Sequence, residues 1–251
     1  MIGGMIGGMS GQLAFDLGQR NGFVRDDFFP SASNRAALAM VDEWQGWPSG
    51  RMLLIGPQGA GKTHLAHIWA GMSGAHLVGA ADLASADLPG LASAGAVVVE
   101  DAHALPREGE EALFHLHNLM SNAGFLLITA RTPPRDWGLM LPDLLSRMQA
   151  LAITQLAAPD ESLISAVLVK LFADRQIAVP LNLIAYLAPR IERSIGAARD
   201  MVAALDARAL AEGRAVTRAL AADMLDKAAL DKAVLDKAVL DKAVLDKAVH
   251  G

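Results

Sequence analysis

The chain has 251 residues and no cysteine. That excludes disulfides and thiolate metal sites and fits a reducing cytoplasm. Aromatic residues are scarce at 5%. Trp44, Trp47, Trp69 and Trp137 do not form a basic–aromatic strip of the kind that stacks single-stranded nucleic acid, and core packing or loop anchoring accounts for them. A basic surplus is missing too: 22 Lys and Arg stand against 27 Asp and Glu, a net charge of −5. Proteins that grip duplex DNA carry the opposite balance, so little direct DNA binding is expected. Although 53% of residues are hydrophobic, no window of roughly 18 apolar residues is free of charges or helix breakers, which argues against a membrane span. The amino terminus lacks a basic region followed by an apolar run, so no secretory signal is expected. His64, His67, His103, His115 and His117 follow no HExxH pattern, and His115 and His117, two apart, do not share a helix face.

Four regions are expected. Residues 1–22 are Gly-rich, repeat "MIGG" before Met9, and read as a flexible leader; Met9 suits a natural start. Residues 23–158 alternate strands and helices, the pattern of a parallel α/β sheet. Strands are expected at "RMLLIG" (51–56), "AHLVGA" (75–80), "AGAVVVED" (94–101) and "GFLLITA" (124–130). Helices are expected at 62–72 and at 108–123, the latter with Ala112, Leu116 and Leu119 on one face. From 159 to 225 the strands stop. Helices at 159–176, 180–191 and 194–213, punctuated by Pro159, Pro180 and Gly213, predict a small helical lid domain. Residues 226–251 repeat "DKAVL" and favour helix. A five-residue step turns about 140° on a helix, so Leu225, Leu230, Leu235, Leu240 and Leu245 spiral instead of forming a seam. The tail reads as an extension of the last helix, with a partner-binding helix as the alternative.

The chemistry concentrates at "GPQGAGKT" (56–63), which fits G-x-x-x-x-G-K-[ST] between a buried strand and a helix. Gly56, Gly59 and Gly61 let backbone N–H groups turn inward around a polyphosphate. The helix start adds its dipole. Lys62 suits the β- and γ-phosphates, and the Thr63 hydroxyl suits Mg²⁺. With Ala60 and His64 these residues form the expected binding set for ADP or ATP. A phosphate loop needs an acid on a neighbouring strand, and "VVVED" supplies two. Glu100 would support the metal with Thr63, and Asp101 would orient an attacking water. Thr129, at the end of "ITA", offers a further polar group.

Together these motifs resemble the AAA+ ATPases, and "GPQGAGKTHLAH" resembles the DnaA/Hda family within them, nearer its short Hda-type members. The resemblance covers most of residues 23–225. "DDFFPSASNRAAL" (26–38) is similar to the segment that helps form the family's adenine pocket. "LLITARTPPRDW" (126–137) resembles the sensor-1 strand, and "LPDLLSRMQALAITQLAAPD" (141–160) the box with the arginine finger, which places that role on Arg147. "GAARDMVAAL" (196–205) resembles the sensor-2 helix, placing its arginine at Arg199. A planar, permanently charged guanidinium suits a γ-phosphate, and in this family the finger acts in trans on a neighbouring subunit's nucleotide. Four features depart from the pattern. The segment from Thr63 to Glu100 is short, leaving little room for the extra helices with which the initiator grips single-stranded DNA. Glu100 stands where most relatives have Asp, Arg131 where the initiator's sensor-1 strand usually has an acid, and the DKAVL repeats where the initiator has a helix-turn-helix domain.

"QLAFDL" (12–17) resembles the Q-L-x-L-x-L peptide with which Hda-type proteins bind the DNA polymerase sliding clamp. Gln12 would make polar contacts while Leu13, Phe15 and Leu17 fill apolar pockets. The alternative is an amino-terminal strand packing on the core. The resemblance implies a cytoplasmic regulator that docks on the clamp, promotes ATP hydrolysis by the initiator DnaA and restrains re-initiation, with homo-oligomers as an option. Two other functions fit the same residues: a non-hydrolysing, nucleotide-switched adaptor at the clamp, and a DNA-binding origin factor or helicase loader.

Overall fold

The computed structural model describes residues 25, 28–121 and 124–227. The leader peptide at 12–17 and the tail beyond 227 lie outside the described residues. Five strands form one parallel sheet in the order β2-β3-β4-β1-β5: β1 (Arg51–Ile55), β2 (His76–Gly79), β3 (Ala96–Glu100), β4 (Phe125–Ala130) and β5 (Ala152–Gln155). The inner strands β3, β4 and β1 are apolar runs because both of their faces are covered. Alternate side chains leave on opposite sides. Met52, Leu54 and Val98 join Leu65, Trp47 and Trp69 on one face, where the Trp47 and Trp69 rings stack with centroids 5.0 Å apart. Leu53, Ile55, Val97, Val99 and Ile128 join Leu113, Leu116 and Leu144 on the other.

The helices lie between and after the strands: α1 (Arg35–Asp42), α2 (Lys62–Ser73), α3 (Leu88–Ser93), α4 (Glu110–Leu119), α5 (Pro142–Gln149), α6 (Glu161–Asp174), α7 (Leu181–Leu187) and α8 (Ile195–Ala211). Residues 218–227 are also helical. Helices α3, α6 and α8 start on side-chain caps. The Asp160 carboxylate accepts from Leu163 N at 2.8 Å and Ser194 Oγ from Ala197 N at 2.9 Å. Helix α5 begins on Pro142 and takes its acceptor from another helix. The buried Glu110 carboxylate, at the start of α4, accepts from Met140 N at 3.0 Å and Leu141 N at 2.7 Å. After β5, Ile164, Leu168, Phe172, Leu183, Leu187, Val202, Leu205 and Leu220 build a core of their own. Among the described residues no helix is long and apolar enough to cross a membrane.

Three sequence expectations change. The helix expected over 180–191 ends at Leu187. Helix α4 ends at Leu119, four residues short of the expected end, and its buried positions include Leu113, Leu116 and His117 while Leu119 is 49% exposed. Strand β5 was not anticipated. Its inward residue is Thr154, 6% exposed, and Ile153 faces out at 46%, which inverts the hydrophobic alternation that would reveal an edge strand.

Candidate nucleotide site

Sheet order brings the functional residues together. Strand β1 lies between β4 and β5, so the loop that follows it emerges among the strands' carboxyl ends. Gly56 N donates to Ala130 O at 3.1 Å, and Leu156 N donates to Ile55 O at 2.8 Å. Gly59 and Gly61 take φ of 75° and 99°, values an L side chain resists. The loop closes on Lys62, the first residue of α2 and only 8% exposed. Its Nζ donates to Gly56 O at 2.8 Å and Pro57 O at 2.9 Å. Burial lowers the Lys62 pKa. The Asp101 and Glu100 charges oppose that shift and the Arg131 charge adds to it.

At the end of β3, Asp101 holds φ 55°, uncommon for a residue with a side chain. Its N–H donates to Thr129 Oγ1 at 3.1 Å, and Thr129 is 1% exposed. Thr129 therefore fixes the backbone that aims Asp101. The Oε1 of Glu100 is buried with no hydrogen-bond partner among the described residues. An orphaned carboxylate oxygen is costly unless something pairs with it. Hard oxygen donors are what Mg²⁺ takes, so Glu100 and the exposed Thr63 hydroxyl fit the metal.

His103 joins the group: its Nδ1 lies 3.8 Å from Asp101 Oδ1. Burial lowers its pKa, which Asp101 opposes and Arg131 and Lys62 reinforce. Sequence reading discarded His103 because no metal pattern included it; the D-x-H spacing at the end of β3 was the available signal.

A narrow pocket opens beside the loop, lined by Phe28, Asn34, Ala60, His64, Leu163 and Ile195 among others. Phe28 meets His64 edge-on with ring centroids 5.3 Å apart. The free space is about 20 Å³, room for one water. The loop is also latched to α8, where Ile195 N donates to Gly59 O at 3.0 Å. Arg199, one turn further along α8, is exposed.

Arg147 is placed elsewhere. It sits in the last turn of α5 with its guanidinium 4.8 Å from the Phe114 ring centroid. One turn along α4, His117 Nε2 lies 2.7 Å from Arg51 Nη1. Arg51 opens β1, whereas the phosphate loop follows the end of that strand, so the structure gathers Gly56, Lys62, Glu100, Asp101 and Thr129 at the carboxyl end of the sheet and sets Arg147 near the opposite end.

No protein-family model matches the chain, and no curated protein matches it. Solved structures do. The fold is that of the AAA+ P-loop core, a parallel sheet with flanking helices. Domain III of the Thermotoga maritima replication initiation protein DnaA superposes with a TM-score of 0.69 at 17% identity, covering 82% of this chain and 96% of that one. AMPPCP-bound DnaA from Aquifex aeolicus gives 0.61 at 16% identity, over 73% of this chain and 64% of that one. The Thermotoga maritima RuvB Holliday junction branch migration motor gives 0.64 at 18% identity, over 82% and 72%.

Proposed function

We propose that this protein is a nucleotide-binding AAA+ regulator of chromosome replication initiation, of the Hda type. One juxtaposition carries the reading. Buried Lys62 and the orphaned oxygen of Glu100 flank a single phosphate loop, and these are the two groups a Mg²⁺-nucleotide requires. Loop N–H groups and Lys62 bind the polyphosphate of ADP or ATP, and Thr63 and Glu100 hold the metal, which neutralises phosphate charge. Asp101, fixed by Thr129, orients water. Phe28 and His64 flank the base, and Arg199 on α8 approaches the phosphates when the helical unit closes. The AAA+ likeness to DnaA and RuvB supports a role in DNA replication or processing.

Arg147 faces away from the chain's own site, which supports action in trans on the nucleotide of the initiator DnaA or of a second copy. Gln12, Leu13, Phe15 and Leu17 supply the tether to the sliding clamp in this reading, and the site of action is the cytoplasm. The test measures ATP hydrolysis by the initiator with this protein, with and without DNA-loaded clamp. Stimulation that needs clamp, is lost in Arg147→Ala and is lost in Gln12→Ala with Leu13→Ala is the expected result. Stimulation that survives Arg147→Ala removes the finger. A second reading, a nucleotide-switched adaptor that does not hydrolyse, is favoured by Glu100 in place of the usual Asp; tight ADP binding without any effect on the initiator would select it.

A further inference from the structure

We infer that Arg51 docks a carboxylate side chain of a partner protein. The inference rests on the trans reading of Arg147 above and adds a binding residue to the same face. Arg51 opens β1 and is half-buried. Its Nη1 donates to His117 Nε2 at 2.7 Å. A guanidinium only donates, so the nitrogen it meets carries no proton and His117 is neutral. His117 is 3% exposed. The Arg51 cation therefore rests on an uncharged, buried ring, and its Nε is buried with no hydrogen-bond partner among the described residues. Burial, and then the Arg147 charge, lowers the Arg51 pKa, the direction expected of a cation that lacks a counter-charge.

Arg51 is an exception within the chain. Arg25, Lys170, Arg175 and Arg208 are half-buried too, and each pairs with a carboxylate. No carboxylate of the described residues forms an ion pair with Arg51 or Arg147. A partly buried cation without one is costly. Arg147 adds a second charge. Its guanidinium lies over the Phe114 ring, one turn before His117 on the same face of α4. An oxyanion entering beside the two cations lowers the energy of both. With Nη1 on His117, the donors left to Arg51 are Nε and Nη2, the edge that matches the two oxygens of one carboxylate. Arg51 is fixed at a strand start, whereas Arg147 is exposed in the last turn of a helix. Arg51 therefore receives a group carried in on a partner's surface, and the carboxylate it holds seats that partner against Arg147.

Two measurements on the full chain test this. In the first, the His117 ring resonances are followed by NMR as acetate replaces chloride at constant ionic strength. Acetate should shift them saturably, and the response should vanish in Arg51→Met. No response in the parent, or one that survives Arg51→Met, overturns the site. In the second, initiator ATP hydrolysis is measured against initiator concentration with DNA-loaded clamp. Arg51→Met should raise the half-saturating concentration by about tenfold to a hundredfold, the range for one charge-assisted contact, and keep the plateau. A lowered plateau at unchanged half-saturation overturns the docking role. Arg51→Met with His117→Leu, which leaves no imidazole nitrogen without its donor, controls for folding. It should melt no lower than the parent and show the same loss; a lower melt makes Arg51 a structural residue and overturns the inference. A parent that answers acetate at His117 yet leaves the initiator unstimulated overturns the replication reading and supports the site.

Discussion

Replacing Gly59 by alanine should unlatch the helical unit from the phosphate loop, and the size of the effect follows from the geometry. An added Cβ would lie 2.4 Å from Ser194 Cβ, 3.0 Å from its Oγ and 3.2 Å from its Cα. Nothing in that contact is the free end of a flexible chain. Ser194 caps α8 through its Oγ, and the next residue carries the Ile195 N to Gly59 O bond. Moving Ser194 disturbs a cap of about 1 kcal/mol and a hydrogen bond of about 1 kcal/mol. The φ of 75° at Gly59 adds roughly 1–2 kcal/mol for any L side chain. Gly59→Ala should therefore lose about 3–4 kcal/mol in urea unfolding.

The partition between clash and backbone strain is separable by a double-mutant cycle. Ser194→Gly alone removes the Cβ and Oγ and, glycine being tolerated at a cap, costs only a few tenths of a kcal/mol. Combined with Gly59→Ala it relieves the clash, leaving contact with the Cα alone. The double variant should then recover about 1–2 kcal/mol relative to the sum of the singles. Additivity within about 0.5 kcal/mol would refute the latch, because the loop would then be yielding without reference to α8.

Glu110→Ala leaves Met140 N and Leu141 N without their acceptor at the start of α5, and a loss of about 2–4 kcal/mol is expected from urea midpoints at unchanged slope. His117 gives a pH signature. Burial, and then the Arg51 and Arg147 charges, hold its pKa at about 4 against an ordinary 6.5. Between those values the unfolded chain takes a proton that the native state refuses, so stability falls as pH drops from 6.5 towards 4, by roughly 3 kcal/mol at the foot of the window. His117→Gln should flatten that part of the stability curve, and an unchanged slope would show that His117 is not the group responsible.

Much of the site was legible because it is local. The glycines, Lys62 and Thr63 occur within eight residues, and "VVVE" reads as a buried strand because Val97, Val98 and Val99 pack on both faces. What escaped depends on partners far along the chain. Thr129 looked like a phosphate contact until its oxygen proved to accept from Asp101, 28 residues away. Helix α5 has no side-chain cap of its own; its acceptor is Glu110, which reads in sequence as one of several surface acids. Strand β5 hid because Thr154 faces in and Ile153 faces out. The latch between Gly59 and Ser194 joins residues 135 positions apart, and nothing in either segment alone points to the other.

The separation of Arg147 from the phosphate loop bears directly on mechanism. Arg51 opens β1 and Gly56 follows its end, roughly 16 Å away at about 3.3 Å per residue. Phe114, under Arg147, and His117, bonded to Arg51, are one turn apart on the same face of α4. Rotating a side chain cannot carry Arg147 across the length of the sheet. In the proposed reading, the residues that would hold phosphates and metal lie at one end of the sheet and the Arg147 guanidinium at the other. If Arg147 takes part in hydrolysis at all, it does so against another molecule's nucleotide. Any hydrolysis stimulated through it must then depend on the concentration of that partner, whereas hydrolysis within one chain would not.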